Sequence, residues 1–167
     1  EESLFEVMDM LEDGFKHEFN VSLFSHDIDR SEALKKISRF ESKDLASLLI
    51  LAKEVVRIFS DRLNVQELRK LSTHSNKDKL GSNKLLQDVL AQKVGVDTAR
   101  KVFGPIVGAY DMRVGDAHPT SSKIGEALEL AGVDNANSFL RQGQQLISNF
   151  GESIWHLGKM LFEKPEE

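Results

Sequence analysis

The feature that most constrains this chain is the apolar seam near its end. Phe139, Gly143, Leu146, Phe150, Ile154, Leu157 and Leu161 follow one another at steps of three and four. Only a helix places residues at that spacing on one face, and a stripe of about three and a half heptads must be covered by other helices. A second stripe, Leu45, Leu48, Leu49, Ala52, Val55, Val56 and Phe59, is wider and predicts a central helix over 42–63 capped by Ser42. No pattern of period two lasts for more than a few residues, so no strand is predicted. The expectation is an all-α fold: a helical bundle of about five or six helices in a single domain. Residues 1–41 would form an N-terminal helical extension and 42–163 the bundle core.

The rest of the chain reads as helices and connectors. Leu4, Phe5, Met8, Leu11 and Phe15 predict a first helix over 3–17, and the polar stretch 19–29 reads as a connector. Ser31 is expected to cap a short helix, and Asn64 a short turn that carries Val65, Leu68 and Leu71. A helix over Leu85, Leu86, Val89 and Leu90 should stop at Gly95, and Asp97 should open the next. Pro105 should kink or restart that helix, and Pro119 should end it. Residues 122–131 should be helical with Gly132 as the C-terminal cap, and Asn135 should open the last helix. A glycine inside a helix costs about 1 kcal/mol against alanine. Gly143, Gly151 and Gly158 on one helix and Gly104, Gly108 and Gly115 on another therefore predict close approach, either of these two helices or of a second copy. A homodimer is the expectation.

Composition removes several function classes. The net charge of −5 argues against a general nucleic-acid coat or a binder of anionic membranes, but leaves room for a local RNA-cutting site. The absence of cysteine excludes disulfides, thiolate metal sites and cysteine nucleophiles. The longest apolar stretch, 45–52, is too short to span a bilayer, so no membrane partner is expected. No secretion leader is seen, which sets a cytoplasmic expectation. The chain opens at Glu1 without methionine and is expected to be a piece of a longer protein.

Residues 72–83 form the clearest loop, and Arg69, Lys70, Lys77, Lys79 and Lys84 make it basic in an acidic chain. It is either a solvated loop or an RNA-binding clamp on the backbone of an anionic partner. No phosphate-binding loop is present, and the five histidines lack metal-site spacing, so neither a metal nor a cofactor is implied. Asp116, His118 and Ser121 have hydrolase residue types, but no strand–turn–helix elbow holds the serine. Glu126 and Glu129 read as a wet helical face.

There remains the run from Tyr110 to Pro119, YDMRVGDAHP. Arg113 and His118 would lie about 140° apart on an unbroken helix. Gly115 and Pro119 loosen it, which lets the histidine swing toward the arginine. An arginine fork holds a phosphate, and a histidine moves a proton near neutral pH. Together they suit metal-free RNA cleavage, in which the 2′-hydroxyl attacks its own phosphate. The alternative is structural: Arg113 paired with Asp116, and His118 capping a helix end.

An arginine, four to six intervening residues and a histidine on a late helix of an all-α bundle resemble the HEPN family. That resemblance implies a four- or five-helix bundle and catalytic roles for Arg113 and His118. It also implies a homodimer whose two motifs meet across a groove, and a metal-independent endoribonuclease. Such domains serve bacterial toxin–antitoxin and anti-phage systems, so an antitoxin or other protein partner is also implied. The likeness covers about 42–162. Val114 stands where active members usually carry a polar residue, which leaves Asp116 or Asp111, with Tyr110 nearby, as supporting residues. The other reading kept open is a non-catalytic helical dimerisation or protein-interaction module.

Overall fold

The computed structural model describes residues 3–115 and 121–162, with no side-chain description for 115, 121 and 122. Among the described residues all regular elements are helical. They are α1 (Leu4–Phe19), α2 (Arg30–Ser38), α3 (Leu45–Phe59), α4 (Val65–Leu71), α5 (Ser82–Val94), α6 (Val96–Gly115), α7 (Ser121–Leu130) and α8 (Phe139–Phe162). Two 3₁₀ turns, Ser60–Arg62 and Lys77–Lys79, and one isolated antiparallel bridge between Phe24 and Leu63 accompany them. The all-α class holds, but eight helices replace the expected five or six. Three of them, α2, α4 and α7, of nine, seven and ten residues, are too short to stand alone; of these, the sequence predicts α4 only as a short turn. Capping supports two of them: Asp29 accepts the N–H of Glu32, and Asn64 that of Glu67.

The chain divides into two compact units. The first gathers Glu1–Asp27, Ser60–Phe103 and Ser153–Glu167; the second gathers Ile28–Phe59 and Gly104–Glu152.

In the first unit, a capping box of Ser3 and Glu6 starts α1, and Asn20 ends it in the left-handed region at φ 56°. The segment after it is more than a connector. The Glu12 carboxylate accepts the N–H groups of Leu23, at 2.8 Å, and Phe24, at 3.3 Å. Leu23 in turn accepts from the Asn64 N–H at 2.7 Å, and its side chain is fully buried. The buried Arg62 donates from Nε to the His26 carbonyl at 2.9 Å and lies 4.6 Å from the Phe24 ring centroid. Lys93 pairs with Glu18 at 2.8 Å and donates to the Leu161 carbonyl at 3.1 Å, placing a cation at the C-terminal end of α8. Phe5, Met8, Leu11 and Phe15 are buried, so α1 forms part of the unit's core.

In the second unit α2 packs on α3. The N-terminal cap of α3 is Asp44, not the expected Ser42. Asp44 accepts the Ser47 N–H at 2.8 Å, while Ser42 is buried with its hydroxyl unpartnered. The bonds from Ser47 hold the Asp44 carboxyl below its ordinary range. Phe59 meets Phe150 edge to face, with centroids 5.9 Å apart. Gly132, at φ 67°, closes α7 as expected: its N–H donates to Glu129, and the Val133 N–H to Leu128. The last helix begins at Phe139, not Asn135. Residues before it turn instead, with the Asp134 carboxylate accepting the Ala136 N–H at 2.9 Å.

Two expectations about α6 and α8 need correction. Pro105, expected to kink or restart α6, does not restart it: the helix is continuous through the proline. Proline leaves an upstream carbonyl without its helical donor. Beside that gap, the Ser153 hydroxyl donates to the Val102 carbonyl at 2.6 Å. Gly104, Gly108, Gly143 and Gly158 do not pair α6 with α8. A Cβ at Gly108 would overlap the α7 backbone at Ala127 and Ala131. At Gly143 it would press on the Phe40 ring, and at Gly158 it would come 2.5 Å from Met10 Cε. Each of these close approaches is made within the chain.

Candidate functional site

The motif read from the sequence lies at the end of α6, in the second unit. One turn of helix separates Tyr110 from Arg113 and sets them on neighbouring positions of one face. The Arg113 guanidinium carbon is 5.9 Å from the Tyr110 ring centroid, at the outer edge of a cation–π contact. Arg113 is half-buried, Tyr110 and Asp111 are exposed, and Val114 is 52% exposed. A chain of one aromatic ring, one arginine and one exposed valine thus follows the last two turns of α6. His118 and Asp116 lie outside the described residues, so the convergence expected of Arg113 and His118 has no geometry here. Ser121 begins α7.

The buried side of the same stretch explains why Arg113 faces outward. Ile106, Ala109 and Met112 are fully buried, and Gly108 meets α7. These positions recur at steps of three around a helix, so 110, 111, 113 and 114 are left to the outer side.

The basic residues fall in the first unit. Lys77, Lys79 and Lys84 stand on the 3₁₀ turn and the first turn of α5, and Arg69 and Lys70 close α4. They are not equivalent. Lys70 is paired with Glu67 at 2.7 Å, and Lys77 donates to the Ser72 carbonyl at 3.1 Å. Arg69 is half-buried, with its Nε buried and unpartnered. Lys79 and Lys84 are exposed. Behind this loop Asp88 accepts from the Ser72 hydroxyl at 2.6 Å and from the Thr73 N–H at 3.2 Å, which fixes the loop's first residues on α5. The His74 ring accepts the Asn76 N–H at Nδ1, so it braces its own turn.

One residue that the sequence did not single out stands out. Asn83 is 8% exposed, and neither atom of its amide has a partner. An asparagine beside a lysine at the end of a polar loop gives no warning of burial in the sequence.

No group of three or more His, Cys, Asp or Glu side chains among the described residues is placed to hold a metal ion. No described helix is long and apolar enough to cross a membrane. No protein-family model, curated protein or solved structure matches this chain.

Proposed function

We propose that this chain is a HEPN-like domain that acts as a metal-independent endoribonuclease, in the manner of a toxin or defence effector. The observation that carries the reading is the placement of Arg113 on the outer side of the last turn of a late helix, five residues before His118. The arginine would hold a phosphodiester and stabilise the charge that builds on its oxygens. The histidine would take the proton from the 2′-hydroxyl as that oxygen attacks phosphorus and the 5′-oxygen leaves. The products would be a 2′,3′-cyclic phosphate and a free 5′-hydroxyl. A homodimer with two such motifs belongs to this proposal and rests chiefly on the resemblance, since Gly108, Gly143 and Gly158 make their close contacts within the chain.

The second reading, a non-catalytic dimerisation or protein-interaction module, is favoured by a different observation. Arg113 leans on Tyr110, and Val114 leaves an apolar group exposed beside them. Tyrosine and arginine are enriched among the residues that carry binding at contact surfaces.

The deciding experiment is cleavage of a mixed-sequence RNA in EDTA by wild type, Arg113→Ala and His118→Ala. The proposal expects cyclic-phosphate ends from wild type, no cleavage by either variant, and nearly unchanged melting temperatures. An uncut RNA with both variants melting early would instead mark the pair as structural. Light scattering at high micromolar concentration tests the dimer, and a monomer there would remove it.

A further inference from the structure

Tyr110 sets the last turns of α6 apart. Among the described residues the large aromatic side chains are buried or half-buried, except those of Tyr110 and Phe162. Phe162 is used within the chain, since its ring lies 3.0 Å from where a Cβ on Gly14 would stand. Tyr110 is 40% exposed, with Arg113 beside its ring one turn on. Ile106, one turn earlier on the same side, is fully buried. The core therefore ends between Ile106 and Tyr110, and the tyrosine ring stands at its rim.

The helix decides what surrounds that ring. At about 100° per residue, Arg113 stands about 60° to one side of Tyr110, and Val114 about 40° to the other. The exposed Asp111 stands about 160° from Arg113, so the acidic neighbour is turned away from the cation. The guanidinium carbon, 5.9 Å from the ring centroid, makes a contact at the limit of cation–π range, which a flat ring stacking on the tyrosine can displace.

An exposed ring beside an arginine matches one nucleotide of an unpaired strand. Bases of any identity stack on aromatic side chains while the backbone follows the cations. In a duplex the bases are stacked on one another, so only single-stranded or looped RNA offers one to a protein ring. Cleavage by the 2′-hydroxyl also requires that oxygen to stand opposite the leaving 5′-oxygen, in line through phosphorus. Holding the base out of its own stack lets the sugar turn into that arrangement, and positioning of this kind lowers a barrier.

We propose that Tyr110 is a base-stacking platform. It holds the nucleobase of the nucleotide whose 2′-hydroxyl attacks the phosphate at Arg113, and it confines the substrate to unpaired RNA. For the phosphate at Arg113 this inference rests on the ribonuclease reading. Tyr110 is then a positioning residue, and its ring matters where its hydroxyl does not.

The test is fluorescence anisotropy of the whole chain with an end-labelled 2′-O-methylated uridine octamer, which cannot be cut. The second probe is the same methylated backbone without bases. Tyr110→Ala should bind the octamer about fivefold or more weakly than wild type. Tyr110→Phe should bind it as wild type does, and the base-free strand should bind all three chains alike. On a cleavable single strand, Tyr110→Ala should lower kcat as well as raise KM. Four results would each overturn the proposal: no binding of the octamer, equal affinity in Tyr110→Ala, an equal loss on the base-free strand, or no rescue by phenylalanine. A change in KM alone would remove the positioning role. Cleavage by wild type that Tyr110→Ala leaves intact would sink this inference and spare the ribonuclease reading. Base-dependent binding through Tyr110 without any cleavage would do the reverse.

Discussion

Gly108→Ala sets two physical effects against each other, and the structure decides the sign. Inside an exposed helix, alanine in place of glycine is favourable by about 1 kcal/mol. At Gly108 the new methyl would sit 2.6 Å from the Ala127 carbonyl oxygen and 2.8 Å from Ala131 Cα, and closer still to the Ala131 nitrogen. These are backbone atoms, so no side-chain rotation relieves the overlap. The end of α7 is also pinned in place. The Gly132 and Val133 N–H groups close its last turn, and Asn149 Nδ2 donates to the carbonyls of Ala131, at 3.0 Å, and Gly132, at 2.8 Å. Overpacking a closed site costs about 1–3 kcal/mol, and a pinned backbone takes the upper part of that range. The net loss should be about 1–2 kcal/mol, or roughly 2–8 °C in melting temperature for a chain of this size. Gly125 provides the opposite case on α7, since a Cβ there meets nothing within 4 Å. Gly125→Ala should raise the melting temperature by about 2–4 °C through propensity alone. Thermal and urea unfolding followed by circular dichroism reads both. A Gly108→Ala chain as stable as wild type, or more so, would refute the close approach of α6 and α7.

Two further perturbations test the core of each unit. Glu12→Ala should cost about 2–4 kcal/mol in urea unfolding, because two charge-assisted bonds to the Leu23 and Phe24 N–H groups are lost and the first of these residues is buried; Glu12→Gln, which keeps one acceptor, should lose less, and equal stability of all three chains would sink the assignment. Phe150→Asp should unfold the second unit, since the ring is fully buried against Phe59 and a carboxylate there has no partner; an unchanged melting temperature would remove α8 from the core.

What the sequence made legible was local. The α8 seam at Leu146, Phe150, Ile154, Leu157 and Leu161 is buried throughout, as its spacing demands. Asn64, Gly95 and Gly132 sit at the helix boundaries where turn chemistry places them. The misread positions have causes distant in the chain. Residues 19–29 read as a connector because they carry Asn20, Ser22, Ser25 and Asp27. Leu23 is nevertheless buried, held by a carboxylate eleven positions earlier and by an N–H on Asn64. Pro105 reads as a kink or a restart, yet α6 runs on as one helix, with a hydroxyl donor arriving at the Val102 carbonyl from Ser153 on a helix that follows much later. Of the candidate site, the identity and spacing of Arg113 and His118 were legible; the exposure of Tyr110 and Val114 was not, because Tyr110 continues the apolar run of Ile106, Val107 and Met112. Asn83 was not, because nothing in its neighbourhood of lysines signals burial.

The glycines show most clearly what spacing can and cannot convey. A glycine within a helix is unfavourable on its own, so several at helical spacing do predict that something comes close. Propensity carries no information about what that something is. Gly108 admits the end of α7, Gly143 admits a phenyl ring, and Gly158 admits a methionine methyl. Three visitors of different shape thus account for three positions that read as parts of two glycine faces, one on α6 and one on α8. A glycine face becomes an argument for a second copy only when its contacts within the chain have been counted first. Here that count takes Gly108, Gly143 and Gly158 out of the steric case for a dimer and leaves its test to solution measurement.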